Sequence, residues 1–170
     1  RVAACTSLSV EQRLSLVTLL SRAAGFAGMV GGQAMDMAGE QQTLTLEQLR
    51  ALHLLKTGAL ITGALEAGGV CANANPAQTT ALRAFGEAIG LAFQVTDDIL
   101  DVTQDSATLG KTAGKDVEAA KATYVACLGL EGAKNEADRL LTAAHNALTL
   151  FGEHATELRR LADKIVNRSH

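Results

Sequence analysis

Proline occurs only once in the 170 residues of this chain, so very little in the sequence interrupts a helix. Three helix start signals are present, each a capping residue followed three positions later by glutamine: Ser9 with Gln12, Thr45 with Gln48, and Asn75 with Gln78. The single proline, Pro76, occupies the first position of the third predicted helix, where proline is favoured. No segment alternates convincingly between apolar and polar residues. The sequence therefore predicts one all-α bundle over residues 1–170.

Composition excludes several classes of partner. A net charge of -3, with no interleaving of basic and aromatic residues, gives no field for binding nucleic acid. The apolar run 23–35 is shorter than the roughly 18 residues of a membrane span, so we expect a helix packed in the core and no membrane partner. The cysteines are odd in number and lack a CxxC spacing, which indicates reduced thiols in a cytoplasmic protein.

A helix predicted over residues 14–37 combines glycines with two polar residues. Its four glycines are explained either by close approach of a second helix or by contact with a ligand: Gly25, Gly28, Gly31 and Gly32. Gln33 and Asp36 follow at a spacing of three, so they share a face of the helix. Asp36 is the only charge between Arg22 and Glu40. The pair is therefore a candidate for binding substrate, with an ordinary structural role as the alternative.

Lys56 lies on an otherwise apolar stripe of the next predicted helix. Counting 100° per residue puts it in line with Leu49, Leu52 and Leu60. A lysine in that position must reach out to water, lose its proton or meet an anion, because a buried unpaired ammonium is costly. Thr57 beside it adds a hydroxyl group. Both residues are candidates for binding an anion.

The stretch FQVTDDILD, residues 93–101, concentrates negative charge with no basic residue nearby. On a helix Gln94, Asp97 and Asp101 share one stripe, with Asp98 at its margin and apolar residues on both flanks. Aspartates one turn apart repel each other unless a cation neutralises them. Carboxylate oxygens without histidine or thiol suit Mg²⁺. A magnesium site that also holds substrate phosphate is one interpretation, and a solvated polar face is the other.

A segment rich in glycine and lysine, LGKTAGKDVEAAK, follows the acidic helix and contains Lys111 and Lys121. It does not form a Walker motif, since Asp105 stands where that motif needs glycine and a helix rather than a strand precedes it. The segment is either a basic cover for anions held at the acidic stripe or an ordinary solvated loop.

Together these motifs resemble the short-chain trans-isoprenyl diphosphate synthases. GGQAMD at 31–36, KTG at 56–58, FQVTDDILD and GKTAGKD at 110–116 occur in the order found in that family. The resemblance implies a helical isoprenoid-synthase fold in which two aspartate-rich helices hold magnesium ions. It further implies a prenyltransferase that condenses isopentenyl diphosphate with dimethylallyl or geranyl diphosphate, with farnesyl diphosphate as the expected product and a ten-carbon or twenty-carbon diphosphate as the alternatives.

The resemblance also implies roles for individual residues. Asp97 and Asp101 are expected to be metal ligands, with Asp98 as a third or supporting carboxylate. Catalysis and binding of the allylic diphosphate are expected of Lys56, Thr57, Gln94 and Lys111. Further substrate-binding residues are expected to be Gln33, Asp36 and Lys121. Homodimer formation is expected on the same ground.

One departure from the family pattern is the absence of a second DDxxD-like cluster. The opening residues RVAACTSLSVEQ also include no initiator methionine and no leader. We therefore expect this chain to be the C-terminal half of a longer synthase and to be inactive by itself. Two alternatives are a non-catalytic helical subunit of a heteromeric synthase and a class I terpene cyclase, although DDILD does not match the usual second metal motif of a cyclase.

Overall fold

The computed structural model describes residues 2–39, 44–108 and 122–168. Those ranges contain helices and no strand, so the predicted all-α class is confirmed. A short 3₁₀ helix, Val2–Ala4, comes first. The α-helices are α1 Val10–Ala24, α2 Met29–Ala38, α3 Leu46–His53, α4 Ala59–Cys71, α5 Pro76–Thr108, α6 Tyr124–Ala147 and α7 Thr156–Val166. A π-helical segment, Leu54–Gly58, joins α3 to α4, and a 3₁₀ helix, Thr149–Ala155, precedes α7.

All three predicted helix starts are confirmed. At α1 the Ser9 hydroxyl accepts a hydrogen bond from the Gln12 amide at 3.1 Å, and the Gln12 side chain accepts one from the Ser9 amide at 2.9 Å. The same reciprocal pair caps α3, and Asn75 with Gln78 caps α5. Each box satisfies two amides that the first turn of a helix leaves without partners.

The predicted continuous helix over 14–37 is wrong, because the backbone breaks between Ala24 and Met29. At Gly28 a β-carbon would lie 2.2 Å from the Ala23 carbonyl oxygen, so this turn requires glycine. The α-helical backbone is interrupted over residues 25–28, and α1 and α2 are therefore separate helices.

The expectation of a helix packed in the core is also not met across α1 and α2. Gly31 and Gly32 are buried, but Phe26 is 79% exposed and Met37 is 63% exposed. By length and composition the run Val10–Ala38 meets the requirement for a membrane span, as core helices of water-soluble proteins also do. The absence of a membrane partner stays a prediction.

The core lies where α5 packs against α4 and α6. Phe85, Ile89 and Val95 from α5 are almost completely buried in one cluster with Leu140 from α6 and Leu49 from α3. Small residues on α6 that are also in this cluster allow the two long helices to approach closely. The carboxyl-terminal half of α5, which carries the acidic stretch, is thereby fixed against the rest of the bundle.

A charged cluster joins α3 to α6 beside this core. The buried Glu136 carboxylate accepts hydrogen bonds from Arg50 at 2.6 Å and from Arg139 at 2.7 and 2.8 Å. The bonds from Arg139, followed by that from Arg50, lower the pKa of the Glu136 carboxyl although burial opposes them. The carboxylate therefore stays ionised inside the fold.

Replacing Glu136 with glutamine is expected to lower the free energy of unfolding by about 1–2 kcal/mol at pH 7. A carboxyl whose pKa is depressed by folding stabilises the protein above its unfolded pKa, and that contribution disappears as pH falls through the folded value. The difference in free energy of unfolding between wild type and variant should therefore stay constant down to about pH 5 and disappear below about pH 4. Denaturant unfolding of the full-length protein across this range measures it. The matched control is Glu131→Gln, because Glu131 is exposed and, within the described part of the chain, its one ion pair is with Lys134.

Candidate active site

Three helical elements meet at the predicted site, and glycines bring their backbones together. A β-carbon on Gly32 of α2 would lie 2.3 Å from the Lys56 backbone nitrogen, and one on Gly90 of α5 would lie 2.7 Å from the Gly58 α-carbon. Of the two explanations for the glycine-rich helix, close helix approach therefore accounts for Gly32. The π segment is held between α2 and α5, with Lys56 and Thr57 at the crossing.

The π segment was not predicted, and it changes which residues face inward. A π turn holds more residues than an α turn, so the helical phase shifts across it. Leu49 before the segment is 1% exposed, whereas Leu60 after it is 37% exposed. The interior face of α4 is instead formed by Thr62, Glu66 and Gly69. The predicted single stripe running through Leu60 is therefore wrong.

Lys56 pairs with an anion, which is one of the three outcomes predicted for a lysine on an apolar stripe. Its ammonium donates a hydrogen bond to the Asp36 carboxylate at 2.5 Å, and both side chains are half-buried. Asp36 and Lys56, predicted separately as substrate-binding residues, are thus direct partners. Gln33, the other predicted residue on α2, is exposed.

Thr57 and Gln94 are also brought together across the crossing. The Thr57 hydroxyl donates a hydrogen bond to the Gln94 side-chain oxygen at 2.6 Å. Gln94 lies one turn before Asp97 on the same face of α5. Polar side chains from α2, the π segment and α5 therefore form one continuous surface that ends at the acidic stretch.

The three aspartates of the acidic stretch have different environments. Asp97 is half-exposed and forms an ion pair with Arg168, and Asp101 is exposed. Asp98 is buried and accepts a hydrogen bond at 2.7 Å from the amide of Tyr124, the first residue of α6. Burial raises the pKa of the Tyr124 phenol, so this end of α6 is shielded from water. Asp98 is thus committed to anchoring α6, which fits the supporting role among the two predicted for it.

Asp97 and Asp101 are the carboxylates that could hold a metal ion. They lie one turn apart on one face of α5, and hard oxygen donors of this kind fit Mg²⁺. Across residues 2–39, 44–108 and 122–168 no three acidic, histidine or cysteine side chains converge. The two aspartates therefore fit part of a magnesium shell, and water or phosphate oxygens would complete it. Lys111 and Lys121 lie outside the described residues.

Sequence reasoning missed two partners of the acidic stretch. The first is the Tyr124 amide, which donates a hydrogen bond to Asp98. Thr123 was the available signal for it, because Thr123 caps α6 by accepting a hydrogen bond from the Ala126 amide. Arg168 contacts Asp97 from 71 residues away in sequence. No local pattern identifies that contact, because it depends on how α7 packs against α5.

Comparison with known proteins identifies the class to which this fold and site belong. The chain belongs to the polyprenyl synthetase family, whose model matches residues 2–157. It is 44% identical over 164 residues to the farnesyl diphosphate synthase of Micrococcus luteus, a match that covers 96% of this chain and 56% of that protein. The predicted family is confirmed.

Two solved structures resemble the chain over nearly its whole length. One is an FPP/GFPP synthase from Zymomonas mobilis, with a TM-score of 0.81, 38% identity, and coverage of 93% of this chain and 52% of that one. The other is a geranyltransferase from Helicobacter pylori complexed with magnesium and isoprenyl diphosphate, with a TM-score of 0.76, 37% identity, and coverage of 98% and 54%. The chain spans about half the length of the relatives it matches.

Replacing Gly32 with alanine should test the helix crossing at the site. The added methyl group would meet the backbone of Lys56 at 2.3 Å, where no flexible side chain can move aside. We expect the free energy of unfolding to fall by about 1–3 kcal/mol and turnover to fall with it as Lys56 and Thr57 are displaced. In the control Gly68→Ala the methyl group would meet nothing within 4 Å, so a gain of about 0.5–1 kcal/mol is expected. Equal stability of Gly32→Ala and wild type in denaturant unfolding would contradict the crossing.

Proposed function

We propose that the protein containing this chain is a short-chain trans-prenyltransferase, with farnesyl diphosphate as its expected product. It condenses isopentenyl diphosphate with dimethylallyl or geranyl diphosphate. The observation that carries the proposal is the continuous polar surface from Lys56 and Thr57 through Gln94 to Asp97. Membership of the polyprenyl synthetase family supports the same reaction.

The residues of this surface have different roles in the ionisation of the allylic diphosphate. Lys56 is held in place by Asp36 at 2.5 Å, so its ammonium is positioned before a substrate arrives. Fixed positive charge beside a leaving group stabilises the charge that develops as the carbon–oxygen bond breaks. The Thr57 hydroxyl, oriented by Gln94 at 2.6 Å, presents its oxygen dipole towards the carbocation that remains. The double bond of isopentenyl diphosphate then attacks that cation, and a proton is lost to the departed diphosphate.

Asp97 and Asp101 would hold magnesium at the carboxyl-terminal end of the same surface. When bound, Mg²⁺ neutralises the diphosphate and helps it leave. Val95 and Ile99, adjacent to Asp97 on α5, are part of or packed against the apolar core. These two residues hold the core face of α5 in place, and Asp97, two positions from each, lies on the opposite face of the helix.

The direct test uses the full-length protein rather than the 170-residue chain. Purified protein is incubated with Mg²⁺, isopentenyl diphosphate and either dimethylallyl or geranyl diphosphate, and the products are identified after dephosphorylation. We expect farnesol as the main product from both allylic substrates. No condensation with either substrate would overturn the proposal and favour a non-catalytic subunit. A cyclic hydrocarbon from farnesyl diphosphate alone would favour a terpene cyclase. Homodimer formation and a cytoplasmic location belong to the same proposal, and light scattering tests the former.

A further inference from the structure

Arg168, which lies just beyond the end of α7, is bound to the acidic stretch of α5. Its Nη2 forms an ion pair with the Asp97 carboxylate and donates a second hydrogen bond to the Phe93 carbonyl oxygen at 3.2 Å. The guanidinium carbon also lies 4.3 Å from the centre of the Phe93 ring. Three separate interactions therefore hold one arginine against the predicted metal ligand.

The positions of these partners on α5 explain why the guanidinium fits there. Phe93 and Asp97 are four residues apart, so the ring and the carboxylate lie on one face of the helix. The ring supports the flat guanidinium by a cation–π contact while the carboxylate accepts its hydrogen bond. The Arg168 side chain is 22% exposed and that of Asp97 is 38% exposed, so solvent screens this pair only in part.

Arg168 also neutralises the charge that would otherwise be unfavourable on this helix. Asp97 and Asp101 repel each other because they lie one turn apart, and the positive guanidinium of Arg168 beside Asp97 relieves that repulsion. The arrangement is incomplete, however, because Nε of Arg168 is buried and has no hydrogen-bond partner among the residues that the structure describes. A buried unsatisfied donor weakens the docked state of the arginine. The contact is thus favourable but open to displacement.

We propose that Arg168 is a resident counter-ion of the acidic stretch, which must leave Asp97 before a divalent cation can bind there. The inference rests on the proposed function, which puts a cation at this carboxylate. A divalent cation at the Asp97 carboxylate would lie close to the docked guanidinium, and two cations at such a distance repel each other. Release needs rotation only around residues 167 and 168, because α7 ends at Val166. Metal binding and release of Arg168 are therefore one coupled event.

Removing the competing guanidinium should tighten metal binding at Asp97. Replacing Arg168 with glutamine is expected to lower the apparent Kd for Mn²⁺ by about threefold to tenfold, the range set by a partly screened ion pair with two weaker additional contacts. The full-length protein is titrated with Mn²⁺, and the free ion is measured by electron paramagnetic resonance. The control is Arg160→Gln on α7, because Arg160 is exposed and its one ion pair within residues 2–39, 44–108 and 122–168 is with Glu157.

Asp97→Asn, alone and combined with Arg168→Gln, separates the two proposals. Loss of Mn²⁺ binding in Asp97→Asn, with a Kd difference between wild type and Arg168→Gln that disappears when Asp97 is also replaced, supports the inference. Equal or weaker Mn²⁺ binding by Arg168→Gln, with binding still lost in Asp97→Asn, overturns the counter-ion and leaves the proposed function intact. Unchanged Mn²⁺ binding in Asp97→Asn overturns the metal site itself.

A second readout follows the arginine directly. The Nε–H signal of Arg168 in a ¹⁵N–¹H NMR spectrum, assigned by its loss in Arg168→Gln, should be shifted by the Phe93 ring in metal-free protein. Addition of Mg²⁺ should move that signal to the position of a free arginine over the concentration range in which the metal binds. A signal unaffected by saturating Mg²⁺ would show that the arginine stays docked and would overturn the proposal.

Discussion

Replacing Asp97 with asparagine should lower turnover by the full-length protein by about a hundredfold to a thousandfold. Asparagine has nearly the same shape as aspartate, but it removes the negative charge with which Asp97 would hold magnesium against the allylic diphosphate. The interaction is needed most as the leaving group develops charge, so kcat should fall more than KM rises. Steady-state kinetics with geranyl and isopentenyl diphosphates at saturating Mg²⁺ measure both constants.

The fold of Asp97→Asn should remain intact. The substitution removes the ion pair with Arg168, but that pair is partly exposed and contributes about 1 kcal/mol or less to stability. Circular dichroism should therefore match wild type. The matched control is Asp138→Asn, an exposed aspartate on α6. Wild-type turnover by Asp97→Asn at low as well as high Mg²⁺ would contradict its assignment as a metal ligand.

Replacing Lys56 with methionine is expected to lower kcat by about a hundredfold, because it would remove the fixed charge that the proposed mechanism puts beside the leaving diphosphate. Methionine preserves much of the length and apolar character of the lysine stem. It also leaves the half-buried Asp36 carboxylate without its partner, which should lower the free energy of unfolding by about 1–3 kcal/mol. Kinetics and denaturant unfolding of the same preparation measure the two effects separately.

The double variant Lys56→Met with Asp36→Asn distinguishes a catalytic lysine from a structural one. Neutralising Asp36 removes the unpaired carboxylate, so stability should return towards the wild-type value. Turnover should stay low, because the positive charge is still missing. Recovery of turnover together with stability would mean that Lys56 serves only as the partner of Asp36.

Local signals in the sequence predicted much of the fold. The three glutamine capping boxes start α1, α3 and α5 where expected, since both partners of each box lie within four residues. Pro76 is the first residue of α5, as predicted from its place directly after the capping residue Asn75. These features depend on short-range hydrogen bonds and fixed backbone angles, and neighbouring residues are sufficient to determine them.

The features that were not predicted depend on contacts between distant segments. The π turn at Leu54–Gly58 lies in a stretch whose composition is compatible with an ordinary helix, and it packs against α2 and α5. The break at Gly28 is the exception, because it lies in a glycine-rich stretch and the contact that requires glycine there is with the nearby Ala23 carbonyl. At the site, spacing alone put Gln94, Asp97 and Asp101 on one face, but the pairing of Asp36 with Lys56 required the crossing of α2 and the π segment. Arg168 reaches Asp97 only through the packing of α7.

The π turn at Leu54–Gly58 should also determine where this chain tolerates a change in length. A π turn contains one residue more than an α-helical turn, and its slower winding absorbs that residue. Deleting one residue within Leu54–Gly58 would therefore return the turn to a regular α-helix and leave α4 close to its present rotation relative to α3. Deleting one residue at the start of α4 would instead rotate the rest of that helix by about 100° and carry Thr62 and Glu66 away from the interior. A one-residue deletion should accordingly be tolerated by the fold within these five residues, which act as a spacer between two helical registers, and rejected in the helices that flank them.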